Sequence, residues 1–416
     1  MYYDLTTLPN GLRVITETMP GIRSVAVGAW VDTGTRDELP NEAGASHFLE
    51  HLLFKGSERV SAIELSRSFD RMGAESNAFT SKEYTCFWAR LLDDDLDDGM
   101  ELLGEMLQQP AFRADEIDSE RHVVIEEINM SEDDAQDAVF ERFTEAAFAG
   151  HVLDMPILGS RESILGMTRD DIVGYWKRRY GAGSTVFAIA GAVEHEQAVE
   201  LVSRHFGEWS GAAVPHEFAE HKWDSALKIE VKDTEQANLV MGGKGLERGD
   251  DRRFAFDVLH HILGGGMSSR LFQTIREERG LAYSVYSFAL PFADAGAWGV
   301  YVGTTPDQTE TVMDLVNVEL EKMMAVGITA EELDRAKSNM RGAMALGFED
   351  ANSRMVRLGK RELTGQEHIS ISEHIARVEA VTGQDVLDVA QSVLGGPRVI
   401  GAVGPFEESN LRKYLT

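Results

Sequence analysis

The chain has 416 residues, 43% hydrophobic and 26% charged, a globular composition long enough for two or more domains. Its 70 acidic against 40 basic side chains leave a net charge of −30, which repels nucleic acid and anionic membrane and favours cationic partners such as basic peptides. No window approaches the roughly 18 uninterrupted apolar residues of a membrane span, and MYYDLTTLPNGLRVI lacks the charged-then-apolar build of an export signal.

Taken in chain order, VAVGAWVDTG (25–34) is the first strong strand pattern. AGASHFLEHLLFKGS (43–57) follows as a helix whose Phe48, Leu49, Leu52, Leu53 and Phe54 point in almost every direction, the pattern of a helix enclosed by protein. His47, Glu50 and His51 are the exceptions, and at 100° per residue they share one arc, with His51 about +40° and Glu50 about −60° from His47. Polar groups on one buried face need a partner. Two histidines at i and i+4 can hold one metal while the carboxylate between them reaches a water beside it.

YTCFWARL (84–91) alternates as a strand and contains Cys86, the single cysteine. It is expected to be a packed residue rather than a reactive thiol, in a reducing compartment. Long amphipathic helices are expected over 94–109 and 132–149. Between them, DSERHVVIEEINM forms a helix with Ile117, Val123, Val124, Ile128 and Met130 as one apolar stripe. Glu120 and Glu127, seven apart, fall inside that stripe, whereas Glu126 faces solvent. Two carboxylates in an apolar stripe need a cation, so Glu127 or Glu120 is a candidate metal ligand and the other its support.

The chain then repeats itself. DIVGYWKRRYGAGSTVFAIAGAV from Asp171 is matched by DVLDVAQSVLGGPRVIGAVGPF from Asp385, HFLEHLLF by DVLHHILG, and EIDSERHVVIEEI by ELDRAKSNMRGAM, at offsets of 214, 210 and 216. Two related halves are therefore expected: a metal-bearing domain 1–208, a linker 209–224 rich in Gly, Pro and polar residues, and a homologous domain 225–416. The order of elements is not a regular βαβ alternation, which points to an α+β fold, each domain a mainly antiparallel sheet with helices packed against one face. The second half has Asp257 and His260 opposite His47 and Glu50, and Ala336 and Ala343 opposite Glu120 and Glu127. One copy keeps the polar set; the other has lost it.

His47-Phe48-Leu49-Glu50-His51 followed by ERHVVIEE resembles the pitrilysin-type (M16, inverzincin) zinc peptidases, the inverted-motif family that includes insulin-degrading enzyme and the mitochondrial processing peptidase. The likeness runs over nearly the whole chain. In that family the third ligand is the second glutamate of an E-x6-E pair, here Glu127, 76 residues beyond His51. The resemblance implies one Zn²⁺ per chain on His47, His51 and Glu127, with Glu120 in support and Glu50 as general base for hydrolysis of a peptide bond.

The same resemblance marks residues that periodicity does not. GAESNAFTSKEYTCF (73–87) is similar to the family's edge strand, implying that substrate backbone pairs near Asn77 and Ala78, with Thr80 beside them, by β-addition. LFQTIREERGLAYSV is similar to the stretch in which an Arg and a Tyr, here Arg276 and Tyr283, hold the substrate carbonyl; read alone, they are a helix-end Arg and a core Tyr. LGGGMSSRLF looks like the glycine-rich loop of the processing peptidases, and without a Lys-Ser/Thr pair it is no P-loop. A two-domain chain with both residue sets resembles half of a clam-shell peptidase, a self-sufficient homodimer enclosing unfolded peptides, with a heterodimer with a related subunit as the alternative. The implied setting is the bacterial cytoplasm rather than the mitochondrial matrix. The competing reading is a non-catalytic, structural member of the same fold.

Overall fold

The computed structural model describes residues 2–415. The fold is α+β, with two antiparallel-dominated sheets. The first sheet uses β1 (Asp4–Thr7), β2 (Arg13–Thr18), β3 (Ser24–Val31), β4 (Glu75–Thr80), β5 (Thr85–Leu92) and β6 (Thr185–Gly191) in the order β1-β2-β6-β3-β5-β4. The second uses β7 (Ala226–Val231), β8 (Ala237–Lys244), β9 (Ala282–Pro291), β10 (Gly296–Thr304) and β11 (Arg398–Gly404) in the order β7-β11-β8-β10-β9. Pairing β2 with β7, β6 with β11, β3 with β8, β5 with β10 and β4 with β9 puts five strands of each sheet in the same order, with β1 as an extra edge strand of the first sheet. In each sheet a single parallel pair, β2–β6 or β7–β11, occupies the same place. The internal repeat in the sequence is thus a repeat of topology.

The helices that matter for the site are α1 (Ala45–Leu53), α2 (Ala62–Met72), α3 (Leu96–Gln108), α4 (Ala114–Asp133) and α5 (Ala135–Ala147). One face of the first sheet, including Val25, Val27, Phe87 and Ala89, forms a core with Phe48 and Leu52 of α1, Leu103 of α3 and Val124 of α4. The other face is also covered, which corrects the one-sided layer expected from the sequence. Ala26, Trp30, Cys86 and Ala188 pack there against Met355 and Leu358 of the helix Ala351–Leu363. This double burial explains why β6 is buried at every residue, the reading expected of a strand covered on both sides. Small residues permit the approach: a Cβ on Gly28 would meet Met355 Sδ at 2.4 Å, and one on Gly359 would meet Trp30 Nε1 at 2.1 Å.

The covering helix comes from late in the chain, and the second sheet receives the reciprocal element. Val139 and Phe143 of α5 pack on Val240, Tyr301 and Val403. The compact units are accordingly not the two sequential halves. One comprises residues through Ile128, Met155–Glu217 and Ala345–Ser370; the other comprises Asn129–Asp154, Phe218–Met344 and the chain from Ile371. The expected boundaries 1–208 and 225–416 follow the repeat, but a segment of each half packs with the other half's sheet. The expected linker 209–224 has no regular secondary structure, and its residues through Glu217 belong with the first unit.

Candidate metal centre

α1 is fixed before its polar face is used. Gly44 sits at φ 89°, where an L side chain would be strained, and a Cβ there would lie 2.8 Å from Leu158 O. The Glu38 carboxylate accepts the N–H groups of Gly44 at 2.8 Å and Ser46 at 2.7 Å, closing the helix N-terminus. The Ser46 hydroxyl contacts Tyr175 Oη at 2.7 Å; Tyr175 reaches Thr33 at 3.0 Å, and the Arg179 guanidinium donates to Thr33 at 2.9 Å. With Phe48, Leu49, Leu52 and Leu53 buried, rotation of the helix about its own axis is blocked. His47, Glu50 and His51 are left half-buried on the remaining arc.

α4 brings the carboxylate to them. Its buried side consists of Ile117, Glu120, Val124, Ile125 and Ile128. Val123 and Met130, expected in that stripe, are exposed at 41% and 71%; the stripe turns about one residue further than apolar spacing alone suggests, toward Ile125. Glu127 lies at its margin, half exposed, and Glu126 faces solvent. Glu127 Oε2 stands 3.5 Å from His47 Nε2 and 3.4 Å from His51 Nε2. The three donor atoms lie within 4.8 Å of one another, and among the described residues no other three His, Cys, Asp or Glu side chains converge in this way.

The donor set fits a zinc-like ion. Ligand atoms about 2.0–2.2 Å from a tetrahedral ion stand about 3.3–3.6 Å apart, and both measured N···O separations fall in that interval. Burial, with help from the neighbouring His51, pushes His47 down to about 4, so its ring is neutral and able to ligate at physiological pH. On His51 the second ring nitrogen is engaged: Nδ1 meets Glu120 Oε2 at 3.2 Å, leaving Nε2 toward Glu127. Glu120 is anchored in turn by Lys55 Nζ at 2.5 Å. Lys55 was not singled out from sequence, although it stands one turn beyond His51 and is matched by Gly265 in the repeat.

Glu50 shares the arc and makes a different contact. Its Oε2 accepts the Thr80 hydroxyl at 2.5 Å. Burial raises the Glu50 pKa, and the Thr80 hydrogen bond and His51 oppose that rise. Thr80 ends β4, which among the described residues pairs only with β5 and so forms the sheet edge. On the same edge the Ala78 N–H donates to Asn77 Oδ1 at 2.8 Å.

In the second unit, Arg276 lies on the helical turn Phe272–Glu277, its guanidinium 4.8 Å from the Phe272 ring centre and 5.4 Å from that of Tyr283. The two residues are thus brought together. Tyr283 is not the core residue its sequence suggests, because its place at the start of the edge strand β9 leaves it 78% exposed. At the position matching Glu50, His260 Nδ1 meets Ser287 Oγ of β9 at 2.7 Å, and the helix Ala330–Gly347 carries Ala336 and Ala343 at the positions matching Glu120 and Glu127.

Residues 13–161 match the family model described as Insulinase (Peptidase family M16), and residues 166–340 match the model described as Peptidase M16 inactive domain. An uncharacterized zinc protease of Streptomyces coelicolor is 42% identical over 412 residues, covering 97% of this chain and 90% of the relative. The chain belongs to peptidase family M16. A further M16 relative, an uncharacterized zinc protease of Bacillus subtilis, is 37% identical over 399 residues, with 96% and 97% coverage. Among solved structures, a protease from Helicobacter pylori shares the fold at a TM-score of 0.91 and 23% identity, covering 97% of this chain and 99% of that one. A peptidase M16 inactive domain from Pseudomonas fluorescens does so at 0.91 and 19%, covering 98% of each. Family membership and relatives named as zinc proteases support a peptidase. The matched models divide the M16 chain between Arg161 and Gly166, inside the first compact unit.

Proposed function

We propose that this M16 protein is a zinc metalloendopeptidase that hydrolyses unfolded peptides, with His47, His51 and Glu127 holding the metal. The observation that carries this reading is the approach of Glu127 Oε2 to both histidine Nε2 atoms, at 3.5 and 3.4 Å, beside a carboxylate with no place in that trio. A zinc ion held there supplies Lewis acidity, activating water and polarising the scissile carbonyl. Glu50 takes the proton of the attacking water on a carboxylate oxygen and delivers it to the leaving amine. Burial raises the Glu50 pKa toward that of a working base, which supports the role.

The exposed edge of β4 receives the substrate as an added strand near Asn77 and Ala78, so backbone rather than side chain is read. Arg276 and Tyr283, paired with each other, hold the substrate carbonyl. Two copies of the chain form the working enzyme, and the net charge of −30 favours basic peptides. Among the described residues no helix is long and apolar enough to cross a membrane. With Cys86 buried and free, a cytoplasmic site of action is the natural setting.

The test is metal analysis combined with cleavage of a quenched, unstructured peptide. Expected are one zinc per chain and turnover that a chelator abolishes; Glu50→Gln keeps the zinc and loses at least about a hundredfold in rate. A protein that binds zinc without cleaving any peptide would instead be the structural member of the fold, and undiminished turnover by Glu50→Gln would remove Glu50 from the chemistry.

A further inference from the structure

The Thr80 hydroxyl occupies an unusual position. It lies on the last residue of the edge strand β4, and its hydrogen bond goes to Glu50 Oε2 on a different element, at 2.5 Å. The strand end that carries it is rigidly mounted. Ser81 N–H donates to Tyr84 O at 2.9 Å, closing the hairpin, and the Arg36 N–H donates to Lys82 O at 2.9 Å. The buried Arg36 guanidinium grips Glu83 at 2.5 Å. A Cβ on Gly34 would lie 2.3 Å from Ser81 O, so the backbones meet there without slack. Phe79, one residue before Thr80, packs edge-on against Trp30 at 5.5 Å.

The second half gives an independent parallel. There the counterpart of β4 is β9, the counterpart of Glu50 is His260, and again a hydroxyl from the edge strand, Ser287, reaches that helix position, at 2.7 Å. The fold thus brings an edge-strand hydroxyl to the same helix position twice. Only in the first half does it meet a carboxylate beside a histidine pair.

We infer that Thr80 is a positioning residue for Glu50: it holds the carboxylate in its working orientation and ties it to the strand on which substrate docks. The inference rests on the peptidase reading above and goes beyond it by giving Thr80 a role other than contact with the peptide. A peptide that adds to β4 and the base that serves it are then referenced to one rigid hairpin, so scissile bond and proton acceptor share a frame. Displacement of a catalytic group by about 1 Å can cost about a hundredfold in rate, and one hydroxyl is enough to prevent it.

The experiment compares Thr80→Val and Thr80→Ser, each alone and combined with Glu50→Gln, in the full-length protein loaded with zinc. Thr80→Val is expected to lower kcat about tenfold or more, with KM within about twofold and zinc content unchanged. Thr80→Ser, which restores the donor, should recover to within about threefold. In the Glu50→Gln background Thr80→Val should add no further loss, because the group it positions is already disabled. If Thr80→Val unfolds, Thr80→Ala removes the same hydroxyl without the second methyl and serves in its place. Normal kcat without the hydroxyl, a loss that multiplies with Glu50→Gln, or Ser no better than Val would each overturn the role while leaving wild-type cleavage intact. Failure of wild type itself to cleave would overturn the peptidase reading, and this role with it.

Discussion

His51 and Glu120, 69 residues apart in sequence, meet at 3.2 Å through Nδ1 and Oε2, and Lys55 holds the other carboxylate oxygen at 2.5 Å. The carboxylate therefore fixes the ring's orientation and leaves Nε2 directed at Glu127, where the proposed metal would bind. Glu120→Gln keeps the shape but removes the charge that both neighbours use. Zinc affinity should fall about 10- to 100-fold, measured by chelator competition, as for comparable changes behind a ligand. An unaltered zinc affinity would show that the contact is dispensable.

Glu126 and Glu127 are adjacent, yet only Glu127 approaches the histidines. Glu127→Gln is expected to release zinc during dialysis, whereas Glu126→Gln retains one ion per chain. Equal loss in both variants would contradict the helix geometry, since neighbouring residues stand about 100° apart around the axis.

If Arg276 and Tyr283 serve the partner's metal set in a homodimer, two inactive proteins should complement each other. Glu50→Gln and Arg276→Ala chains, mixed and allowed to exchange, form mixed dimers in half of the pairings, each with one intact site. About a quarter of the wild-type rate should return, for independent sites and full exchange. Demonstrated exchange without recovered activity would place the pair in service of its own chain, or make Arg276 structural.

His216 lies between Asp32, at 2.9 Å, and Asp37, at 2.7 Å, and Asp37 is also held by Arg179 at 2.9 Å. Burial disfavours the imidazolium, but the hydrogen bonds that its two N–H groups donate to the carboxylates outweigh it and push the histidine up to about 9. Because the folded-state pKa exceeds the unfolded value of about 6.5, this contribution is fully present below pH 6.5 and is lost as pH rises through about 9. At about 1.4 kcal/mol per pKa unit it is worth at most about 3 to 4 kcal/mol. Urea midpoints measured between pH 6 and 9.5 should fall in wild type and fall less in His216→Gln. Parallel pH profiles for the two proteins would deny His216 this role.

What the amino-acid sequence determines by itself here is local or repetitive. Helical period places His47, Glu50 and His51 on one arc because residues three and four apart share a face wherever the helix is packed. The same period marks Glu120 and Glu127 as charges within an apolar stripe, with the choice of Glu127 as ligand resting on the resemblance and its place at the stripe's margin shown only by the structure. The repeat is legible because both halves preserve the same order of five strands, β1 being an addition to the first. Tertiary structure decided what depends on distant chain. Strands such as β6 read as apolar on both faces, yet nothing local says that the second cover on the first sheet comes from Ala351–Leu363. Val123 and Met130 look like core and are exposed, because which part of a wide apolar stripe is buried depends on the element packed against it. Lys55 on Glu120 and Thr80 on Glu50 are side-chain meetings across elements 65 and 30 residues apart. Hydrogen bonds of that kind are set by the relative placement of helix and strand, which side-chain packing throughout the core fixes and which no local pattern encodes.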